Sequence, residues 1–142
     1  MKTLNHEDTK GTKRFETFDA ELESLAREVV DAAFAVHKAL GPGLLESAYR
    51  ACLEVELRHR GIPFASELRL PIVYRGQSID NAFRLDLLVA ESLIVELKSV
   101  ETLLPIHEAQ LITYLKLANQ RLGLLVNFNS RLIRDGIKRL AL

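Results

Sequence analysis

The stretch FRLDLLVAESLIVELKSV, residues 83–100, decides how this chain is read. It is mostly apolar and has the length of a β-hairpin with a turn near Ala90-Glu91-Ser92. Side chains alternate between faces along a strand. Phe83, Leu85, Leu87 and Val89 are therefore expected on one face of the first strand, and Arg84, Asp86 and Leu88 on the other. In the second strand Leu93, Val95 and Leu97 share one face, and Ile94, Glu96 and Lys98 the other. A turn centred on Glu91 sets Asp86 opposite Glu96 and Arg84 opposite Lys98. Facing Cβ atoms would then lie about 4.5–5.5 Å apart. Two carboxylates at that distance repel, and a divalent cation between them would reverse the sign. Mg²⁺ suits such a place because it takes carboxylate and water oxygens in octahedral geometry. The bland alternative is a solvated sheet face on which Arg84 and Lys98 neutralise the acids.

Working outward, the period changes on either side of this hairpin. Upstream, DAELESLAREVVDAAFAVHKAL carries Leu22, Leu25, Val29, Ala33, Val36 and Leu40 at steps of three and four, an amphipathic helix with Asp19 as N-cap. Gly41-Pro42-Gly43 stops it. A second helix over LLESAYRACLEVELRHRG would bury Leu45, Ala48, Tyr49, Cys52 and Val55 or Glu56, with Gly61 at its C-terminal cap. If Gly43 is the N-cap, Glu46 is the third helical residue, a favourable place for an acid at the positive end of the dipole. FASELRLPIVYRG alternates as a strand, and Pro71 predicts an edge position or a bulge.

Downstream, LPIHEAQLITYLKLANQ reads as a helix with Pro105 in its first turn and Gln110 and Tyr114 on one face. LGLLVNF is a short continuous apolar run, the pattern of a strand covered on both faces. RLIRDGIKRLAL fits either a short helix or a further strand. The expected order is α-α-β-β-β-α-β, a mixed central sheet flanked by helices, in a single domain over 19–142. Residues 1–18, with four basic and three acidic residues and no periodicity, are expected to be a flexible polar tail.

Composition narrows the function classes. The 142 residues carry 19 basic and 19 acidic side chains, so contact with a polyanion has to come from a local patch. Arg131, Arg134, Lys138 and Arg139 are the candidate phosphate contacts. Their alternative is the solvated surface of a last element. Cys52 is the only cysteine, which rules out an internal disulfide and a cysteine-rich zinc site and points to a cytoplasmic home. No apolar run reaches the ~20 residues of a membrane span, and the polar first residues do not read as a secretory signal.

These signals coincide with a family. Gly43-x-x-Glu46-x-x-Tyr49 resembles the motif of the bacterial GxxExxY proteins, a group similar to the PD-(D/E)XK nuclease superfamily. Asp86, nine residues, then Glu96-Leu97-Lys98 resembles the core of that superfamily, without its proline before the aspartate. Gln110-x-x-x-Tyr114 looks like the helix motif of several branches. The resemblance implies a restriction-endonuclease-like αβββαβ core with an extra N-terminal helix. It implies a nuclease hydrolysing phosphodiester bonds of DNA or RNA with Mg²⁺ or Mn²⁺, held by Glu46, Asp86, Glu96 and the backbone carbonyl of Leu97. Such an ion acidifies a bound water and stabilises charge on a phosphate oxygen. Glu46, Asp86, Glu96 and Lys98 would be catalytic, with Lys98 serving the water and the phosphate. Tyr49, Gln110 and Tyr114 would position the substrate. The rival reading is an inactive nuclease-fold module that binds nucleic acid or a protein partner. A weaker third is a structural module that pairs through a sheet edge. Small size and neutral charge favour a homodimer or a protein partner for substrate grip. If repulsion between the acids dominates, Asp86→Ala is expected to stabilise the metal-free protein.

Overall fold

The computed structural model describes residues 6–142, with side chains from Ala20 onward. The stretch 1–18 expected as a tail lies outside the residues whose side chains are described. Helix α1 spans His6–Leu40 and α2 Glu46–His59. Strands β1 (Phe64–Tyr74), β2 (Gln77–Val89) and β3 (Leu93–Lys98) follow, then α3 (Pro105–Leu117) and β4 (Leu122–Asn127). A 3₁₀ turn over Ile133–Gly136 leads into β5 (Ile137–Ala141), so the ambiguous last segment is both a short helix and a strand.

The five strands form one sheet in the order β1-β2-β3-β4-β5. All neighbours are antiparallel except β3 and β4, which run parallel and are joined through α3. Helices α1 and α2 cover one face. Their Val29, Ala33, Val36, Tyr49, Leu53 and Leu57 pack with Leu93, Val95, Leu97 and Val126. Helix α3 covers the other face, where Leu111 and Leu115 meet Ile94 and Leu125. Every residue of β4 is buried, as its unbroken apolar run demands. Burying these side chains supplies the main driving force, ~1.5–3 kcal/mol for each large apolar group.

Several local expectations change. Asp19 lies within α1, which begins at His6, and not at its start. Helix α2 starts at Glu46 with Leu45 as N-cap, so Glu46 is the first helical residue and not the third. Its core side runs Tyr49, Leu53, Leu57, an i, i+4 row, while Leu45 and Val55 are exposed. Gly61, at φ 71°, closes α2 with Gly61 N–H to Arg58 C=O and Ile62 N–H to Leu57 C=O, a Schellman motif. Strand β1 is an edge strand with its register shift between Leu70 and Ile72, around Pro71.

The largest departure is in the opening hairpin. Its register is centred on Glu91, with Leu87 opposite Val95 and Val89 opposite Leu93. The face assignment, however, does not hold along all of β2. Leu87 and Val89 pack under α1 and α2, but Phe83 and Leu85 belong to the α3 core. Strand β1 changes sides with it, Phe64 packing with the first core and Leu68 and Leu70 with the second. The exchange falls where the ladder skips from Ser66↔Leu87 to Leu68↔Leu85, at Glu67 and Asp86. Glu67 holds φ 50° there, a left-handed conformation that costs a non-glycine residue about 1–2 kcal/mol. Simple alternation cannot foresee a reversal that both strands make together.

Candidate active site

The β2–β3 ladder ends at Leu87↔Val95, one residue short of Asp86 and Glu96. From there each acid takes the place of the lost backbone partner. The amide of Asp86 donates to Glu96 Oε2 at 2.8 Å, and the amide of Leu97 donates to Asp86 Oδ2 at 2.8 Å. Both carboxylates are about 4% exposed. Burial first, and then the charge of Asp86, push the Glu96 carboxyl up to about 8, against the pull of the Asp86 amide and Lys98. The acids therefore do not interrupt the strands at a cost without return: they satisfy amides that the diverging backbone would otherwise orphan.

Other elements deliver the remaining groups. Glu46 opens α2, and its carboxylate makes no hydrogen bond or ion pair among the described residues. Burial, followed by the Asp86 charge, raises its pKa, while Lys98, Arg50 and Arg84 oppose the shift. Lys98 ends β3, and its Nζ lies 3.4 Å from Gln110 Oε1 on α3. Tyr114 stands one turn beyond Gln110. Its ring lies 5.1 Å from Phe83, and its hydroxyl pKa is raised by burial and then by Glu96 and Asp86. Glu46, Asp86, Glu96, Lys98, Gln110 and Tyr114 are thus gathered from two helices and two strands.

Tyr49 is not among them. It is fully buried, stacked on Phe128 at a centroid distance of 4.7 Å. Its hydroxyl donates to Gly41 C=O at 2.5 Å and accepts from the Leu44 amide at 3.1 Å. It braces the loop that leads to Glu46, and no substrate can reach it. The C-terminal cations also part company. Lys138 pairs with Glu108 of α3 at 3.1 Å, and Arg139 forms a bidentate pair with Glu23 of α1. They lie on opposite faces of β5, as residues one apart in a strand must. Arg131 and Arg134 instead line a groove with Lys38.

Two residues were given too small a part by sequence reasoning. Arg84 was expected opposite Lys98 but turns to β1, donating to Glu67 Oε1 at 2.8 Å and to Asp86 Oδ1 at 3.3 Å. Its position two before Asp86 was the available signal. Asn127, 2% exposed at the end of β4, holds the segment after Lys98. Its Oδ1 accepts from Val100 N–H at 3.1 Å and its Nδ2 donates to Val100 C=O at 2.9 Å. A buried Asn in an apolar strand marks such a clamp.

The model of the PD-(D/E)XK nuclease superfamily matches residues 23–140. The chain belongs to the PD-(D/E)XK nuclease superfamily. The mixed five-stranded sheet flanked by helices agrees with its restriction-endonuclease-like fold. No curated protein and no solved structure matches the chain. Superfamily membership implies a nucleic-acid substrate and a divalent metal such as Mg²⁺. Among the described residues no helix is long and apolar enough to cross a membrane.

The carboxylate oxygens of Asp86 and Glu96 are the donor type that a hard cation takes. Among the described residues no three His, Cys, Asp or Glu side chains stand close enough together to hold an ion. Asp86 already meets Arg84 and the Leu97 amide, but each carboxylate oxygen has two lone pairs and can serve a second partner. Mg²⁺ is commonly bound through one or two carboxylates, its other positions filled by water, so Asp86 and Glu96 form a sufficient pair.

Proposed function

We propose that this PD-(D/E)XK superfamily member is a GxxExxY-type nuclease that hydrolyses phosphodiester bonds of DNA or RNA. The observation that carries the reading is the reciprocal clamp between Asp86 and Glu96 beside Lys98. It fixes two buried carboxylates and an ammonium on rigid strands, with Glu46 brought up from α2. Mg²⁺ or Mn²⁺ held by Asp86, Glu96 and the Leu97 carbonyl, with Glu46 near, would supply Lewis acidity toward a phosphate oxygen and acidify a water.

The chain's own groups do the rest. Lys98, steered by Gln110, orients the attacking water and offsets the charge that grows on the phosphate. Tyr114 keeps its proton at neutral pH, because burial and then the nearby carboxylates disfavour a phenolate, and so donates a hydrogen bond to substrate. The raised Glu46 and Glu96 pKa values follow from burial first and then from the negative charge of Asp86 beside them. Cation uptake should therefore release protons.

A second reading has one observation in its favour: the Arg84 guanidinium already approaches Asp86, as in a module that has replaced a metal ion with an internal cation. One experiment separates the two. Purified protein is tested on single-stranded, duplex and branched DNA and RNA with Mn²⁺, with EDTA, and as Lys98→Ala. Cleavage that needs Mn²⁺ and Lys98 supports the nuclease. Equal activity in wild type and Lys98→Ala marks a contaminant. An inert wild type with no calorimetric heat on adding Mn²⁺ assigns the fold to binding.

A further inference from the structure

A groove of about 390 Å³ lies between the last turns of α1 and the segment that follows β4. Phe34, His37 and Lys38 line one wall, and Arg131, Leu132 and Arg134 the other. None of its lining residues is acidic, in a chain whose acids and bases otherwise balance. Lys38 and Arg131 make no ion pair among the described residues, and Arg134 has only Asp135, at 4.0 Å and largely exposed. These cations are therefore open to an external anion, unlike Lys138 and Arg139.

The same walls carry apolar surface. Phe34 is 41% and Leu132 40% exposed, side by side with the cations. A ring flanked by cations fits a chain that alternates flat bases with phosphates. Base stacking on an aromatic side chain needs bases released from a duplex. The walls are also fixed. His37 is buried, and its Nε2 lies 2.8 Å from Ser130 C=O, tying α1 to the segment that bears Arg131 and Arg134.

Both walls are joined through the chain to elements that carry the charged cluster. Lys38 precedes the Gly41–Gly43 loop, after which α2 begins with Glu46. Strand β4 ends at Asn127, paired with Lys98, and Phe128 N–H donates to Lys98 C=O at 2.9 Å. The wall that bears Arg131 thus continues from the strand that pairs with β3 at Lys98.

We propose that this groove binds a single strand of nucleic acid, phosphates on Lys38, Arg131 and Arg134 and a base on Phe34, and guides it to the carboxylate cluster. The guidance part rests on the nuclease reading; the binding part does not.

The test is fluorescence anisotropy of a labelled poly-thymidine strand in EDTA, so that binding is read without cleavage. The double variant Lys38→Glu/Arg131→Glu should weaken binding at least about tenfold and lower the slope of log affinity against log salt by about two. The charge-keeping pair Lys38→Arg/Arg131→Lys should bind within about threefold of wild type, since contacts to phosphate need charge more than shape. Phe34→Ala should cost about fivefold or more on the single strand, and nothing on the matching duplex. Unchanged affinity in the charge reversal overturns the proposal, as does equal loss on duplex with Phe34→Ala. Equally tight binding of a poly-glutamate peptide would assign the groove to an acidic protein partner and also overturn it. Hydrolysis of bis(4-nitrophenyl) phosphate by wild type with Mn²⁺ tests the catalytic reading separately. Strand binding without that hydrolysis supports the groove and sinks the nuclease; hydrolysis without strand binding does the reverse.

Discussion

Asp86 and Glu96 each accept a backbone amide from the other's strand, at 2.8 Å in both cases. The exchange begins one residue beyond the last ladder pair, Leu87↔Val95. Two acids that should repel are thereby built into the fold as acceptors, and the effect of removing either depends on what replaces it.

Asp86→Ala leaves the buried Leu97 amide without an acceptor, which costs about 1–3 kcal/mol. The stabilisation expected from relieving repulsion alone is therefore not expected to survive. Asp86→Asn keeps a carbonyl oxygen for that amide and removes the charge. In EDTA, urea unfolding should rank Asn at or above wild type and Ala below both. Ala as the most stable of the three would mean that the Leu97 bond contributes nothing.

Glu96 sets a pH dependence. Its carboxyl sits at about 8 in the folded chain, against an ordinary value of 4.5. Between those values the folded state holds a proton that the unfolded state has lost, so this contribution to stability is complete below pH 4.5 and is lost as pH rises through 8. Its full span is on the order of 5 kcal/mol as an upper bound. Glu96→Gln, which cannot ionise, should be more stable than wild type at pH 9 in EDTA and equal to it near pH 4.5. A constant difference at both pH values would place the titration elsewhere.

Lys98 and Gln110 should separate binding from catalysis. Lys98→Ala is expected to abolish cleavage and to keep the calorimetric signal of Mn²⁺, because the ammonium serves water and phosphate. Asp86→Ala should lose both. Gln110→Ala frees the ammonium of its 3.4 Å partner and should lower kcat about tenfold with little change in Mn²⁺ affinity. Loss of Mn²⁺ heat in Lys98→Ala would contradict this division of roles.

Tyr49→Phe keeps the stack on Phe128 but removes the hydroxyl that joins Gly41 C=O to the Leu44 amide. Thermal unfolding should show a loss of about 1–3 kcal/mol. Cleavage should also fall, since the loop leads straight to Glu46. A variant as stable as wild type would show that this loop is held by other contacts.

Gly136→Ala tests the support behind Asn127. An added Cβ would lie 2.3 Å from Ser130 Oγ and 2.5 Å from the Asn127 carbonyl oxygen. The backbone oxygen cannot move without disturbing the clamp on Val100. A loss of about 1–3 kcal/mol is expected, the usual cost of forcing an atom into packed structure. Wild-type stability would show that the 3₁₀ turn shifts freely.

Much of this molecule is written in local pattern. The 3.6-residue stripe of α1, the unbroken apolar run of β4, Pro105 at the start of α3 and Gly61 at the end of α2 each act within a few residues, so reading them needs no fold. The turn centred on Glu91 fixed the register that sets Asp86 near Glu96. The residues of the cluster were legible too, because charges in apolar strands are costly and stand out. What the tertiary structure decided lies between elements. Whether Tyr49 or Glu46 faced the site depended on α2 starting at Glu46 and on its packing through Leu53 and Leu57. Arg84 met Asp86 and not Lys98 because β1 and β2 exchange faces together at Glu67. Arg131 came to share a groove with Lys38, almost a hundred residues away in sequence, while Arg139 was drawn to Glu23. A single chain's periodicity reports which side of its own element a residue occupies; which neighbour waits on that side is settled only when the elements pack.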